Sequence, residues 1–384
     1  MMKKIALIDN FIHIDLFARK EFETANVEQV LNATGGNTGN VAFVYAIEKI
    51  IGDQLTRINW GWDPKIINKR FDHIVICAAN QIGAHVDLGG WASKLENIDL
   101  PITIIGLGAQ SESLSKYPEI PEGTIKFLEK LNDFKVSGSN ISVRGNFTRE
   151  VLQNIEVNSS VGGCPSLMIS ENRNLGQTLL ANQPSRIEKV AVAAGNVWDP
   201  RSAFLEKNLT DLVDAYKGAY ILQHPLSMMQ MLLGEKATYT PERFNILLER
   251  YGHKFKENEI LDWMQKNAFM FVDVPNWIRF LRHYDITVGP RYHGVALSIQ
   301  GGRPGTVYTI DSRTEELSKE TGIKYLNIDD LKELSIDEIV HLSKWNEQDA
   351  LTFHSNRKEK VNNMIEFLKS NEIEPSKHLY DLSE

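Results

Sequence analysis

Short unbroken apolar runs alternate along this chain with longer stretches whose apolar residues recur every three or four positions. That alternation predicts buried parallel strands separated by amphipathic helices. Strands are expected at Lys4 to Asp9, His73 to Ala78, Ile102 to Gly106 and Ser142 to Arg144. Helices are expected at Val41 to Ile51, where Val41, Val44, Tyr45, Ile47 and Ile51 share a side, and at Thr148 to Ile155. The pattern lapses between residues 171 and 188, where turn formers carry little hydrophobic period, and an interdomain linker is expected there. It then restarts, with strands at Lys189 to Ala194, Ala219 to Gln223, Ala268 to Val272, Asp285 to Gly289 and Gly305 to Ile310. Helical periods fall at Asn276 to Tyr284 and Tyr292 to Gln300. Beyond Ile336 the chain reads as polar helix, with Val361, Met364, Ile365 and Leu368 on one stripe.

The expected fold is therefore α/β, two doubly wound Rossmann-like halves facing a cleft. The divisions fall at 1–175, 186–335 and a helical extension, 336–384, that packs back. Ligands of such folds bind beyond the carboxyl ends of the strands, so those loops hold the candidate chemistry.

Composition changes this picture in three ways. The 384 residues are 42% hydrophobic and carry a formal net charge of −8. Such a chain has no global field for nucleic acid, and any anion it handles must be held by a local group of arginines. Two cysteines, Cys77 and Cys164, are too few for a disulfide framework and are expected as small buried groups in a reducing compartment. No run of about 18 apolar residues exists, and Asp9, Asn10, His13 and Asp15 interrupt the start before a signal-peptide core forms. A cytoplasmic location is the expectation.

Five strand-end motifs then stand out. Gly35-Gly36-Asn37-Thr38-Gly39-Asn40 runs into the Val41 helix and could present backbone N–H groups to an anion. A tight turn with a helix cap would use the same residues. Ile105-Gly106-Leu107-Gly108-Ala109-Gln110 lacks the third glycine of a dinucleotide loop, which excludes NAD binding, and ends on Gln110 as a polar contact. Ser142-Val143-Arg144-Gly145 puts a guanidinium at a strand end, suited to fork onto a carboxylate or phosphate. Gly289-Pro290-Arg291-Tyr292-His293 sets an arginine and a histidine two residues apart, an anion holder beside a proton carrier. Finally, Asp311-Ser312-Arg313-Thr314 repeats the strand-end arginine. Three arginines at three strand ends suggest a concave anion site. The histidines show no zinc spacing, and no metal is expected.

Taken in order, these motifs, with Gly163-Cys164-Pro165-Ser166-Leu167 between them, resemble the polysaccharide pyruvyl transferase family over roughly residues 32 to 325. The resemblance implies a fold like the two-domain GT-B glycosyltransferases. It implies transfer of pyruvate from phosphoenolpyruvate to a sugar as a cyclic ketal, with phosphoenolpyruvate as co-substrate and no cofactor. On that reading His293 and Arg291 are catalytic, Arg144, Arg291 and Arg313 hold the donor, and Gly36, Asn37, Thr38, Gly39, Asn40 and Gln110 form an anion or acceptor loop. The donor belongs to the C-terminal half and a saccharide acceptor to the N-terminal half. A lipid-linked acceptor would bring the protein transiently to the inner face of a membrane, and a homodimer suits an enzyme of this size. The chain departs from the family pattern at Asn40, where members often carry Asp, and at Ala78-Ala79-Asn80-Gln81, where many carry a glycine run. Two other readings keep the fold: a glycosyltransferase or epimerase using a nucleotide-sugar, and a glycan-binding relative without catalysis.

Overall fold

The computed structural model describes residues 3–9, 26–200, 203–234 and 240–384. Asn10, His13 and Asp15, which argued against a signal peptide, lie outside them. Two all-parallel sheets hold the chain together. The first contains β1 (Ile5–Ile8), β2 (Leu55–Ile58), β3 (His73–Cys77), β4 (Asn80–Ile82), β5 (Ile102–Ala109), β6 (Ile141–Val143) and β7 (Ser160–Val161). Its order is β2-β1-β3-β5-β6-β7, with β4 on β5. The second contains β8 (Val190–Ala193), β9 (Ala219–Leu222), β10 (Ala268–Met270), β11 (Ile286–Gly289), β12 (Gly305–Thr309) and β13 (Tyr325–Asn327), in the order β10-β9-β8-β11-β12-β13. Each order reverses direction once, which makes both sheets doubly wound. The crevice of the second opens where β8 and β11 lie side by side.

The strands are buried on both faces because helices cover them. β1, β3, β5, β8, β9, β11 and β12 bury every residue, which is why the sequence shows them as continuous apolar runs. The helices Val41–Ile51 and Tyr292–Gln300 begin and end where their periodicity predicts. The helix expected from Thr148 instead starts at Asn146, because Gly145 gives way directly to a turn closed from outside the helix.

The expected linker is not a bare connector. It contains the helix Leu175–Ala181 with Leu175 and Leu179 fully buried. Its apolar residues are few but consecutive turns place them on one packed side. One apolar cluster runs through both halves, joining Ile5, Val44 and Met168 to Leu297, Val307 and Trp277. The Glu347–Ser370 helix crosses this seam and adds Phe353, Val361, Met364 and Leu368 to it. Thus the C-terminal helices do pack back on the body, and they do so across the join. Among the described residues, no helix is long and apolar enough to cross a membrane.

Candidate active site

A cavity of about 260 Å3 opens between the carboxyl edges of the two sheets. Asn80 reaches it from the start of β4, Gln110 and Arg144 from the ends of β5 and β6, and Gln223, Arg291 and Arg313 from beyond β9, β11 and β12. Asn37, Asn40, His85, His293 and Thr314 complete its polar lining. The structure therefore brings Arg144, Arg291, Arg313 and His293 together, although 169 positions separate the first of them from the last.

The three guanidiniums differ in what they already hold. Arg144 is 2% exposed. Its Nε donates to the Gly106 carbonyl at 2.7 Å, Nη1 to Asn80 Oδ1 at 3.1 Å, and Nη2 to the Ala78 carbonyl at 3.4 Å. Its guanidinium also lies over the Phe43 ring at 5.2 Å. With three of five N–H groups used, one on each terminal nitrogen is left for a ligand. The Gly106-Leu107-Gly108 run explains itself here, since a Cβ on Gly108 would stand 2.5 Å from Asn80 Oδ1 and 3.1 Å from Arg144 Cδ. Asn80 thus acts as a bracket for Arg144.

Arg291 is the opposite case. It is buried, its Nε has no hydrogen-bond partner, and no ion pair reaches it among the described residues. Burial and the Arg313 charge press its pKa down to about 10, so it remains protonated at neutral pH. Among the described residues, Arg291 is thus a buried cation without an ion-pair partner, facing a cavity at a topological switch point. Arg313 is intermediate, with Nη2 held by Asp311 at 3.0 Å.

His293 lies in the first turn of the helix that Arg291 caps. Its ring packs 5.4 Å from that of Phe43, and Nε2 stands 3.6 Å from Cys164 Sγ. Burial, with Arg144 and Arg313 adding to it, pushes its pKa down to about 3. It is therefore neutral near pH 7 in the unliganded site. His224, just past β9, is pushed the same way by burial and by Arg291 and Arg313.

The backbone N–H groups of the glycine loop are taken up within the protein. The N–H groups of Gly35, Gly36, Thr38, Gly39, Asn40 and Val41 all donate within the protein, that of Thr38 to the Gln223 carbonyl across the cleft. Asn40 Nδ2 donates to the Thr34 carbonyl at 3.0 Å, a bond that an Asp carboxylate could not make. The loop is a turn with a cap, and only the side chains of Asn37 and Asn40 line the cavity. Gln110 sits just beyond the end of β5, in the lining.

Sequence reasoning missed five residues in or beside the site. Asn80 and the Gln223-His224 pair sit at strand ends, so the rule that located Arg291 also applied to them, but neutral residues carry no sign of an anion site. Gln223 is 1% exposed and its Nε2 has no partner, a second buried donor without an acceptor. Glu206 had no signal at all. It is fully buried in a helix, accepts from the Tyr220 hydroxyl, and is raised by burial to about 7. Cys164, expected only as packing, in fact touches the site histidine.

The family model of polysaccharide pyruvyl transferases matches residues 37–312, a span that includes Arg144, Arg291 and His293 and stops one residue short of Arg313. A search of curated proteins finds no match. Among solved structures, a putative UDP-N-acetylglucosamine 2-epimerase from Listeria monocytogenes is 9% identical. That comparison covers 96% of this chain and 98% of that one at a TM-score of 0.44. UDP-GlcNAc 2-epimerase from Neisseria meningitidis bound to UDP-GlcNAc is 9% identical over 95% of this chain and 100% of that one, at a TM-score of 0.37. A functionally uncharacterised protein from Klebsiella pneumoniae is 11% identical over 73% and 83% of the two chains, at a TM-score of 0.39.

Proposed function

The chain belongs to the polysaccharide pyruvyl transferase family, and from that premise we propose that it transfers pyruvate from phosphoenolpyruvate to a saccharide, closing a ketal across two hydroxyls. The observation that carries this reading is Arg291, a buried cation with no ion-pair partner among the described residues, set in one cavity with Arg144, Arg313 and a neutral His293. Phosphoenolpyruvate brings about three negative charges on a carboxylate and a phosphate, groups that guanidinium forks match. Three arginines less the charge of Asp311 leave the cradle short of neutralising such a donor by about one unit.

That balance gives His293 its role. Burial, aided by the Arg144 and Arg313 charges, keeps its imidazole neutral, the form that accepts a proton. A bound trianion reverses the local field, so the imidazolium becomes stable only once the donor is in place. His293 takes the proton of the first sugar hydroxyl as its oxygen adds to C2, and passes it to C3, turning the methylene into a methyl group. The second hydroxyl then displaces phosphate from C2, and its proton leaves on the phosphate. Two hydroxyl protons are lost, one reaching carbon and one reaching phosphate, so the equation closes with the two substrates alone. The N-terminal side chains Asn37, Asn40 and Gln110 are neutral hydrogen-bonding groups suited to a saccharide.

Phosphate release from phosphoenolpyruvate, measured against a panel of saccharide acceptors, tests the proposal. Acceptor-dependent release that falls by about 10²- to 10⁴-fold in His293→Ala is expected. A fall no larger than about tenfold would remove the proton-transfer role. Thermal protection by UDP and none by phosphoenolpyruvate would replace the donor with a nucleotide-sugar.

A further inference from the structure

The segment that follows Arg144 is capped by residues from the other half of the molecule. The helix Asn146–Gln153 has Gly145 at its N-cap, and no side chain of its own closes its first turn. Its free N–H groups find carboxylates on the Ser312–Thr321 helix, about 170 positions away. Asn146 N and Nδ2 donate to Glu320 Oε1 at 3.0 and 2.6 Å. Thr148 N donates to Glu316 Oε1 at 2.7 Å, and Thr148 Oγ1 to Glu316 Oε2 at 2.9 Å. Glu320 is itself held by Lys360 at 2.7 Å, in a pair that is almost buried. Close by, Ser111 N donates to Ser312 Oγ, which donates back to the Ser111 carbonyl, both at 2.9 Å.

Space in the joint is cut to fit. A Cβ on Gly145 would stand 2.5 Å from Glu316 Cγ and 2.7 Å from Glu320 Cγ. The φ of Gly145, −168°, is open to any residue, so glycine is needed for room and not for conformation. The residue on one side of the joint is Arg144. Three positions before Glu316, on the same face of its helix, stands Arg313. Each carboxylate therefore ties the backbone behind one donor arginine to the helix that carries another.

We propose that Glu316 and Glu320 are positioning residues: by capping the Asn146–Gln153 helix from the opposite half, they set Arg144 in register with Arg291 and Arg313 around the donor. Beside the apolar seam, four short, directional hydrogen bonds fix the register of the two elements. This inference rests on the proposed donor. Burial raises Glu316 to about 7, against the Thr148 bonds and the Arg144 charge, with Glu320 adding to the rise. A neutral carboxamide at 316 is accordingly expected to serve nearly as well.

Amide hydrogen exchange and steady-state kinetics on the full chain decide the matter together. In Glu316→Ala/Glu320→Ala, exchange at residues 145–149 is expected to speed up about tenfold or more without ligand, reflecting lost caps. The KM for phosphoenolpyruvate is expected to rise roughly ten- to hundredfold while kcat at saturating donor stays within about threefold. Glu316→Gln should restore both values, and Gly145→Ala, which keeps both carboxylates, should reproduce the loss. Unchanged exchange at 145–149 would overturn the proposal. So would an equal fall of kcat with KM unchanged, the mark of a generally damaged fold. If the unaltered protein neither binds nor turns over phosphoenolpyruvate, the donor reading fails by itself, and exchange still shows whether the carboxylates hold the helix.

Discussion

Arg144 and Arg291 line one cavity, yet their substitutions should be separable. Arg291 Nε has no partner and the guanidinium forms no ion pair among the described residues, so Arg291→Met should leave stability unchanged or raise it by about 1 kcal/mol, since an isolated buried charge is costly. The same change should weaken phosphoenolpyruvate binding about a hundredfold, at roughly 1.5–3 kcal/mol for each charged hydrogen bond lost. Arg144→Met should harm both properties, because it orphans the Gly106 and Ala78 carbonyls and Asn80 Oδ1, at about 1–3 kcal/mol for each buried group left unpaired. Urea unfolding with donor titration checks the pair. Glu206 makes a pH prediction. Its native pKa is raised from 4.5 to about 7, chiefly by burial, against the hydrogen bond from Tyr220 and the Arg291 charge. The native state thus holds this proton longer than the unfolded chain does. The resulting stability is complete below about pH 4.5 and is lost as pH rises through about 7. Glu206→Gln should flatten that fall, read as the difference in urea midpoints between pH 5 and pH 8. His293 runs the other way. Its lowered pKa favours the fold above about pH 6.5, and that contribution fades as pH falls toward 3.

At the scale of elements, strand ends decide where chemistry sits and glycines decide how closely the pieces fit. β5 shows both effects, since its Gly106 carbonyl receives Arg144 and its Gly108 leaves the room that Arg144 and Asn80 occupy. Gly108→Ala should displace Asn80 from Nη1 and raise the KM for phosphoenolpyruvate about tenfold, the equivalent of about 1.4 kcal/mol, with the far-ultraviolet circular dichroism unchanged. Gln223 is packed between two glycines, where a Cβ on Gly39 would stand 2.1 Å from Oε1 and one on Gly294 would stand 2.8 Å from Nε2. Its Nε2 without an acceptor predicts that Gln223→Leu keeps the melting temperature and weakens substrate binding. Calorimetry with donor and acceptor in turn would show which of the two it reads. The boundaries of Val41–Ile51 and Tyr292–Gln300 were legible, whereas the helix expected at Asn276 to Tyr284 runs Val274–Leu281 and the short strands β2, β4 and β13 gave no signal. At Asn146 and in the 171–188 segment the reading failed for another reason, since the partner that completes the element lies far away in sequence.

The whole molecule is joined more tightly than its two sheets suggest. Arg357, on the long C-terminal helix, is 4% exposed and donates to the carbonyls of Leu167, Asn172 and Ser170 at 3.0, 2.5 and 2.6 Å. It clamps the crossover between halves while its neighbours Phe353, Val361 and Met364 fill the seam. Removing residues 346–384 should therefore abolish cooperative unfolding of the body, seen as lost near-ultraviolet dichroism and a broad thermal transition. The sequence by itself determined the parallel α/β plan, because strands buried on both faces must be apolar throughout, and it marked the three arginines and His293, because charge at a strand end is conspicuous. Only the tertiary structure decided which guanidinium is free, that the glycine loop is a closed turn, and that Glu316 and Glu320 complete a helix of the other half. Hydrogen-bond satisfaction depends on which groups meet across hundreds of residues, and no local pattern of residue types encodes those meetings.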